Sequence, residues 1–317
     1  MRNDIINRTD SIDFLKAICA FLIICIHAPF PGEVGSYFTA LARIAVPIFF
    51  MISGFFYNKE KLVGQIKKIT ILFISSNLLY VFWSVVYGFV SGNHISVTIK
   101  SMLKFVLLND SPFGGHLWYL GAILYVLLIV LVVEKINLMK LLYAVTPILL
   151  LGDLVLGKYA ILIWGREFSY ILVRNFIFVG IPYFTIGMMM KEKKLRLSGW
   201  TIPIFILTTF CERFLLVSLN ANAARDHYLS TTFLAIAVMS AALGYKGHVL
   251  KFGVRIGRDY STWIYIVHPI FIACFGWFFS KIGLYGVYKY FAPVYIYIVS
   301  AIFVEVGVEC WKKTKKR

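Results

Sequence analysis

Charge is scarce in this sequence. Asp, Glu, Lys and Arg make up 15% of its 317 residues, where a soluble globular domain carries about a quarter. That removes the polar exterior a water-soluble chain of this length needs, and no polar stretch is long enough to fold as a separate soluble domain. Acids are scarcer still: 15 Asp and Glu stand against 32 Lys and Arg, a formal net charge of +17. A basic excess of this size suits nucleic-acid binding, but here the basic residues punctuate apolar runs and form no continuous stripe, so no nucleic-acid partner is expected. Cysteines are few. Cys19, Cys25, Cys211, Cys274 and Cys310 all fall inside apolar segments without metal-ligand spacing, so they read as small buried thiols and no metal site is expected. The first apolar run lacks a small-residue cleavage pattern and carries Asp13 and Lys16; no cleavable signal peptide is expected. No inverted repeat relates the two halves, which counts against many secondary-transporter architectures.

What the sequence has in excess is apolar surface: 60% of residues are hydrophobic and 17% aromatic. A membrane span needs about 20 mostly apolar residues. Ten segments qualify: 12–29, 37–57, 69–90, 117–134, 140–157, 169–190, 200–219, 229–245, 260–280 and 289–310. The stretch 96–108 is too short and too basic to cross and reads as an amphipathic interfacial helix; 159–164 is a shorter piece of the same kind. With the N-terminus inside, the inner connections hold 21 Lys and Arg, the outer ones 7, and 4 lie within spans. A three-fold bias of constant sign predicts an even number of spans with both termini cytoplasmic. The expected fold is therefore all-α: a single polytopic membrane domain over residues 1–317 with about ten transmembrane helices, because backbone groups in lipid must be satisfied within each segment. The basic tail KKTKKR reads as an anchor against anionic headgroups.

Ionisable side chains inside spans are costly and mark candidate sites. Lys16 and His27 are eleven residues apart in the first span. At 100° per residue that is close to three turns, so both lie on one helix face, about 16 Å apart along the axis. Asp13, one turn before Lys16, is placed to pair with it. His27 is the best general base in the chain, since imidazole titrates near neutrality. Arg43 in the second span must face a polar cavity or an anion, while Pro47, Ser53 and Gly54 predict a bent, closely packed helix. His116 precedes the fourth span beside Trp118 and Tyr119, which read as an aromatic belt. Arg174 and Asn175 stand near the outer end of the sixth span, where both are suited to an oxygen-rich or anionic substrate. Arg166 and Glu167 just before them read as a solvated loop. His268 lies deep in the ninth span next to Pro269, with Tyr265 one turn earlier. Glu212 and Arg213 are expected to pair with other helices, and Glu305 and Glu309 with basic loops.

These residues resemble the acyltransferase-3 family of membrane O-acyltransferases. The Lys16-to-His27 spacing is similar to that family's basic-residue, ten residues, histidine motif. RIAVPIFFMISGFF at 43–56, GHLWYL at 115–120, RNFIFVGIPYFTIG at 174–187 and STWIYIVHP at 261–269 resemble its other landmarks in the same order, over essentially the whole chain. Within the family the branch most alike includes the membrane domain of vancomycin-resistance serine racemases. The resemblance implies transfer of an acyl group, often acetyl, from cytoplasmic acyl-CoA to a hydroxyl of a cell-surface glycan or other acceptor. Acyl-CoA is then a co-substrate, with no tightly bound cofactor, and the location is a bacterial plasma membrane. His27, Arg43 and His116 are the expected catalytic groups; Asp13, Lys16, Arg174, Tyr265 and His268 are the expected donor-binding ones. Lys16 stands where the family more often has arginine, which keeps the charge but loses the bidentate fork. The competing reading is an amino-acid (serine) permease in which Arg43 or Arg174 binds the carboxylate; a scaffold without chemistry fits least with so many polar residues in spans.

Overall fold

The computed structural model describes residues 2–92 and 97–314, with the side chains of 2–9 and 91 outside the description. The side chains of Arg2 and Arg8, residue 96 at the start of the 96–108 segment and the last three residues of the basic tail therefore lie outside it. The chain is 81% helix, and no strand occurs among the described residues. The helices are α1 (Arg2–His27), α2 (Gly32–Ala42), α3 (Ala45–Phe55), α4 (Leu62–Ser91), α5 (Ile99–Leu108), α6 (Trp118–Lys135), α7 (Met139–Asp153), α8 (Ala160–Trp164), α9 (Tyr170–Val173), α10 (Ile181–Glu192), α11 (Thr201–Ser218), α12 (Leu229–Gly244), α13 (Lys251–Arg255), α14 (Ser261–Lys281) and α15 (Tyr285–Thr314).

Among the described residues, eight helical stretches, some of them interrupted, are long and apolar enough to cross a membrane: Gly32–Phe55, Lys59–Val90, Gly115–Lys135, Met139–Lys158, Tyr170–Glu192, Thr201–Ser218, Lys251–Lys281 and Tyr285–Thr314. The protein is thus a multi-pass membrane protein. The two remaining apolar segments are also helical. One belongs to α1, which carries Asp10, Asp13 and Lys16; the other is the 16-residue α12. Along α4, Ile71, Ile74, Leu78, Phe82, Val85 and Phe89 are all exposed. An apolar stripe at helical spacing is untenable in water and natural against lipid tails. α5 repeats the pattern on a smaller scale. Thr98 and Ser101 cap it reciprocally, and Ile99, Leu103, Val106 and Leu107 form its exposed apolar face, as the amphipathic reading of that segment requires.

The chain separates into two compact units. The first comprises residues 1–49, 196–214 and 228–317; the second comprises 50–195 and 215–227. In the first unit α1 is the central element and touches α2, α12, α13, α14 and α15. Its residues Ala17, Ala20 and Ile24 recur at helical spacing and pack with Ile256, Tyr260, Ile264, Tyr288 and Ile296. Lipid tails are as apolar as these side chains, so helices associate in a membrane through close approach rather than a hydrophobic drive. The sequence GVRIG at 253–257 supplies it. A Cβ on Gly257 would stand 1.5 Å from the Asp13 carbonyl oxygen, and one on Gly253 would stand 2.4 Å from the Phe14 ring. In the second unit Gly54 and Gly187 play the same part reciprocally: each would place a Cβ within about 2 Å of a carbonyl oxygen across the crossing, that of Phe184 and that of Met51.

Three helices are interrupted. The second apolar segment breaks at Arg43–Ile44 between α2 and α3. Pro47 has no N–H for the Arg43 carbonyl, and its ring crowds that carbonyl; the expected bend is therefore seated four residues before the proline. The sixth segment breaks at Arg174–Asn175, between α9 and a π-helical turn over Phe176–Gly180. A further π-helical turn, Leu154–Lys158, follows α7, with Gly157 far from helical geometry (φ −102°, ψ −106°). A third π-turn, Ile256–Tyr260, keeps the helix continuous from α13 into α14.

Candidate active site

The first unit holds Asp13, Lys16, His27, Arg43, Tyr265 and His268. α1 is unbroken from Arg2 to His27, so the eleven-residue spacing does put Lys16 and His27 on one face. Lys16 Nζ donates to Asp13 Oδ1 at 2.7 Å. The carboxylate is almost fully buried, while the ammonium keeps 24% of its side-chain surface. The pair costs less than an isolated buried charge, because each ion satisfies the other, and the lysine remains open to a further anion. Asp13 is also the residue whose carbonyl abuts Gly257, so the close seam with the 256–260 turn fixes this ion pair.

His27 is the last residue of α1. Its ring faces His268, with centroids 5.2 Å apart and planes at 48°. His27 is exposed, whereas His268 is 0% exposed. His268 Nδ1 is 2.8 Å from the Tyr265 carbonyl oxygen and 3.2 Å from that of Ile264. A carbonyl only accepts, so Nδ1 carries a proton and Nε2 is the basic nitrogen of the neutral ring. A fixed buried imidazole thus stands against an exposed one. Tyr265 serves through its backbone carbonyl here, and its ring lies 6.3 Å from that of His268. Arg43 stands at the helix interruption, half buried.

The second unit holds His116 and Arg174. His116 sits in a 3-10 turn over Gly115–Leu117 and is buried, its ring 4.6 Å from that of Tyr80. Arg174 emerges at the break, its guanidinium 4.2 Å from the Tyr170 ring centroid and 5.4 Å from that of Trp118. Cation–π contact holds the charge between two rings without neutralising it. Two expectations change here. Trp118 is 6% exposed and buried beneath Arg174, not a belt residue at the interface. Asn175 is not a substrate ligand: its carbonyl oxygen accepts from the backbone of Ile177 and Phe178, and its amide donates to the carbonyls of Ile171 and Leu172. It repairs both sides of the helix break.

A buried polar cluster in the same unit went unread in the sequence. Asp153 and His227 form a 2.7 Å pair, each under a tenth exposed. Lys158 is 5% exposed and donates to the Ala223 carbonyl at 2.9 Å. Tyr170 bonds Asp226. Glu167, expected as a solvated loop residue, accepts from Ala224 N–H at 2.8 Å and pairs with Arg225 at 3.0 Å. These contacts fasten residues 222–227 to the segment 153–170. Asp153 inside an apolar run was the visible signal; its partner lies 74 positions away. Elsewhere the expected pairings are present: Arg213 with Glu33 and Ser36, Glu212 with the start of α12, and Arg255 with Glu305 and Glu309.

Comparison with known proteins bears on these positions. The family described as an acyltransferase domain, acyltransferase-3, matches residues 9–309. An amino-acid racemase of Enterococcus faecalis is 25% identical over 300 residues, 84% of this chain and 41% of that protein. Another amino-acid racemase of the same organism is 36% identical over 123 residues, 35% of this chain and 16% of that protein. The chain therefore spans about two fifths or less of the curated relatives it matches. No solved structure matches it.

Proposed function

The chain belongs to the acyltransferase-3 family, and from that premise we propose that it transfers an acyl group, acetyl being the simplest, from cytoplasmic acyl-CoA to a hydroxyl of a cell-surface glycan or other extracytoplasmic acceptor. The observation that carries this reading is the His27–His268 contact on the helix that also bears the Asp13–Lys16 pair. Lys16 receives an anionic phosphate of CoA near the inner leaflet, with the inner-loop cations adding to the field. The pantetheine arm brings the thioester outward along the α1 face. His27 takes the acceptor's hydroxyl proton; the alkoxide oxygen attacks the thioester carbon. Collapse of the tetrahedral intermediate breaks the C–S bond, and the departing thiolate takes the proton back from His27, giving ester and free CoA. Arg43 stabilises the oxyanion. His268, with its Nδ1 proton committed to the backbone, holds the catalytic imidazole.

The same proposal includes ten spans, both termini in the cytoplasm and a bacterial plasma membrane. The three-fold excess of Lys and Arg in alternate connections supports it, as does the helical state of the first and eighth apolar segments. The decisive experiment incubates purified protein with labelled acetyl-CoA and follows CoA release and acceptor label. His27→Ala should lose at least about a hundred-fold in rate, the usual contribution of a positioned base, and stay folded. Undiminished transfer by that variant refutes the assignment.

The two relatives named as amino-acid racemases favour one alternative, an amino-acid permease that binds a carboxylate at an interrupted helix, at Arg43 or Arg174. Uptake of labelled serine into proteoliposomes without any CoA requirement would decide for it.

A further inference from the structure

A cavity of about 440 Å³ lies in the first unit, away from the face that carries Lys16 and His27. Its α1 wall is Ser11, Phe14, Leu15 and Ile18. Counted at 100° per residue from Lys16, these fall about −140°, −200°, −100° and +200° around the helix, whereas His27 falls at about +20°. The cavity is therefore on the opposite side of α1 from the proposed donor path. Its floor includes Ala241 and Ala242, whose small side chains leave the space, and Ile202 at the start of α11. The volume is in the range of ligand sites, which are typically 300–1,000 Å³ and mostly apolar.

The mouth differs in kind from the floor. Tyr245, His248 and Leu250 of the connection after α12 line it. The Tyr245 hydroxyl donates to the His248 carbonyl at 3.2 Å and closes a small turn. Lys246 lies within that turn and Lys251 three residues beyond it, and both are exposed. Leu250 is 74% exposed, and Trp200, one residue before α11, is 86% exposed. Exposed leucine, an exposed tryptophan and lysines around an apolar slot are what a membrane interface selects: rings and methyls at headgroup depth, ammonium groups in the anionic layer.

We propose that this cavity seats one acyl chain of an anionic phospholipid, with its headgroup held by Lys246 and Lys251. The apolar floor takes the tail, and the net positive mouth selects the headgroup. Only the choice of leaflet rests on the topology proposed above; binding itself does not.

The test uses the full chain in nanodiscs of phosphatidylcholine containing a minor fraction of phosphatidylglycerol. Native mass spectrometry and extraction count the lipids retained after transfer to detergent. The expected result is one phosphatidylglycerol retained in preference to phosphatidylcholine. Lys246→Gln with Lys251→Gln should reduce that preference about thirty-fold, two lysines at about 1 kcal/mol each. Ala241→Trp, which fills the floor, should abolish retention of either lipid; the double lysine variant, wholly on the surface, keeps the test valid should the tryptophan variant misfold. Retention of neither lipid by the unaltered protein overturns the proposal, as does a preference untouched by the lysine changes. Displacement of the lipid by palmitoyl-CoA also overturns it and assigns the slot to a long-chain donor. Acyl transfer measured on the same preparations separates the two claims: His27-dependent transfer without lipid retention ends this proposal alone.

Discussion

Gly257→Ala probes the link between packing and the proposed donor end of the site. The added Cβ would stand 1.5 Å from the Asp13 carbonyl oxygen, 2.6 Å from its carbonyl carbon and 3.0 Å from the Ala17 amide nitrogen. All three obstacles are backbone, so no rotamer change relieves the clash. Carbon contacts settle at about 3.5 Å, so α1 and the 256–260 turn must part by about 2 Å. Overpacking typically costs 1–3 kcal/mol, and a backbone-to-backbone clash belongs at or above the top of that range, about 3 kcal/mol. At roughly 2–4 °C per kcal/mol for a chain of this size, the melting temperature in detergent should fall by roughly 6–12 °C. Because Asp13 carries the carboxylate that holds Lys16 at 2.7 Å, the apparent KM for acyl-CoA should rise as well. Gly276→Ala in α14 is the control. It meets nothing within 4 Å and should be neutral or stabilising by up to about 1 kcal/mol, since alanine is the better helix former. Size-exclusion thermostability of the two variants side by side is the assay. Equal stability of both would show that α1 does not sit against the 256–260 turn at backbone distance, and the account of the Asp13–Lys16 pair would go with it.

Further outcomes follow from the polar contacts. On the proposed reading, in which the Lys16 charge binds the donor and does not touch the reacting atoms, Lys16→Gln should raise the KM for acyl-CoA about ten-fold or more while leaving kcat within a few-fold, read by initial rates across donor concentration. Asp153→Asn should destabilise the protein by about 3 kcal/mol, since it leaves His227 buried beside a neutral amide; thermal melts and proteolysis between 220 and 227 would report it, and an unaltered melt would contradict the pairing. Asn175→Ala should cost about 2 kcal/mol or more, as four backbone groups at the Arg174 break lose their partner; hydrogen exchange at Ile177 and Phe178 should quicken first.

The sequence by itself carried the class and named the candidate residues. Sixty per cent apolar residues in runs of span length leave no fold but a helical membrane bundle. The one-face relation of Lys16 and His27 needed only the helical period and an unbroken α1, and Asp13 one turn away was a local pair. Pro47 announced a bend, because a missing N–H is a property of the residue. Charged residues in apolar segments were legible as candidates one at a time, since their cost in lipid does not depend on what surrounds them.

What the tertiary structure decided is which of these groups meet. His27 and His268 lie 241 positions apart and touch through helix packing that no local pattern encodes. Asn175 looked like a ligand because its amide is polar; only the break at Arg174 shows that every one of its bonds goes to backbone. The Asp153–His227 pair was invisible because one partner sits in an apolar run and the other in a polar connection. Which helix the GVRIG stretch admits, and that it would pin Asp13, depends on a backbone approach set by helix packing. Periodicity and cost are properties of single segments and are written in the chain. Proximity between segments is a property of their packing, and the sequence alone leaves it open.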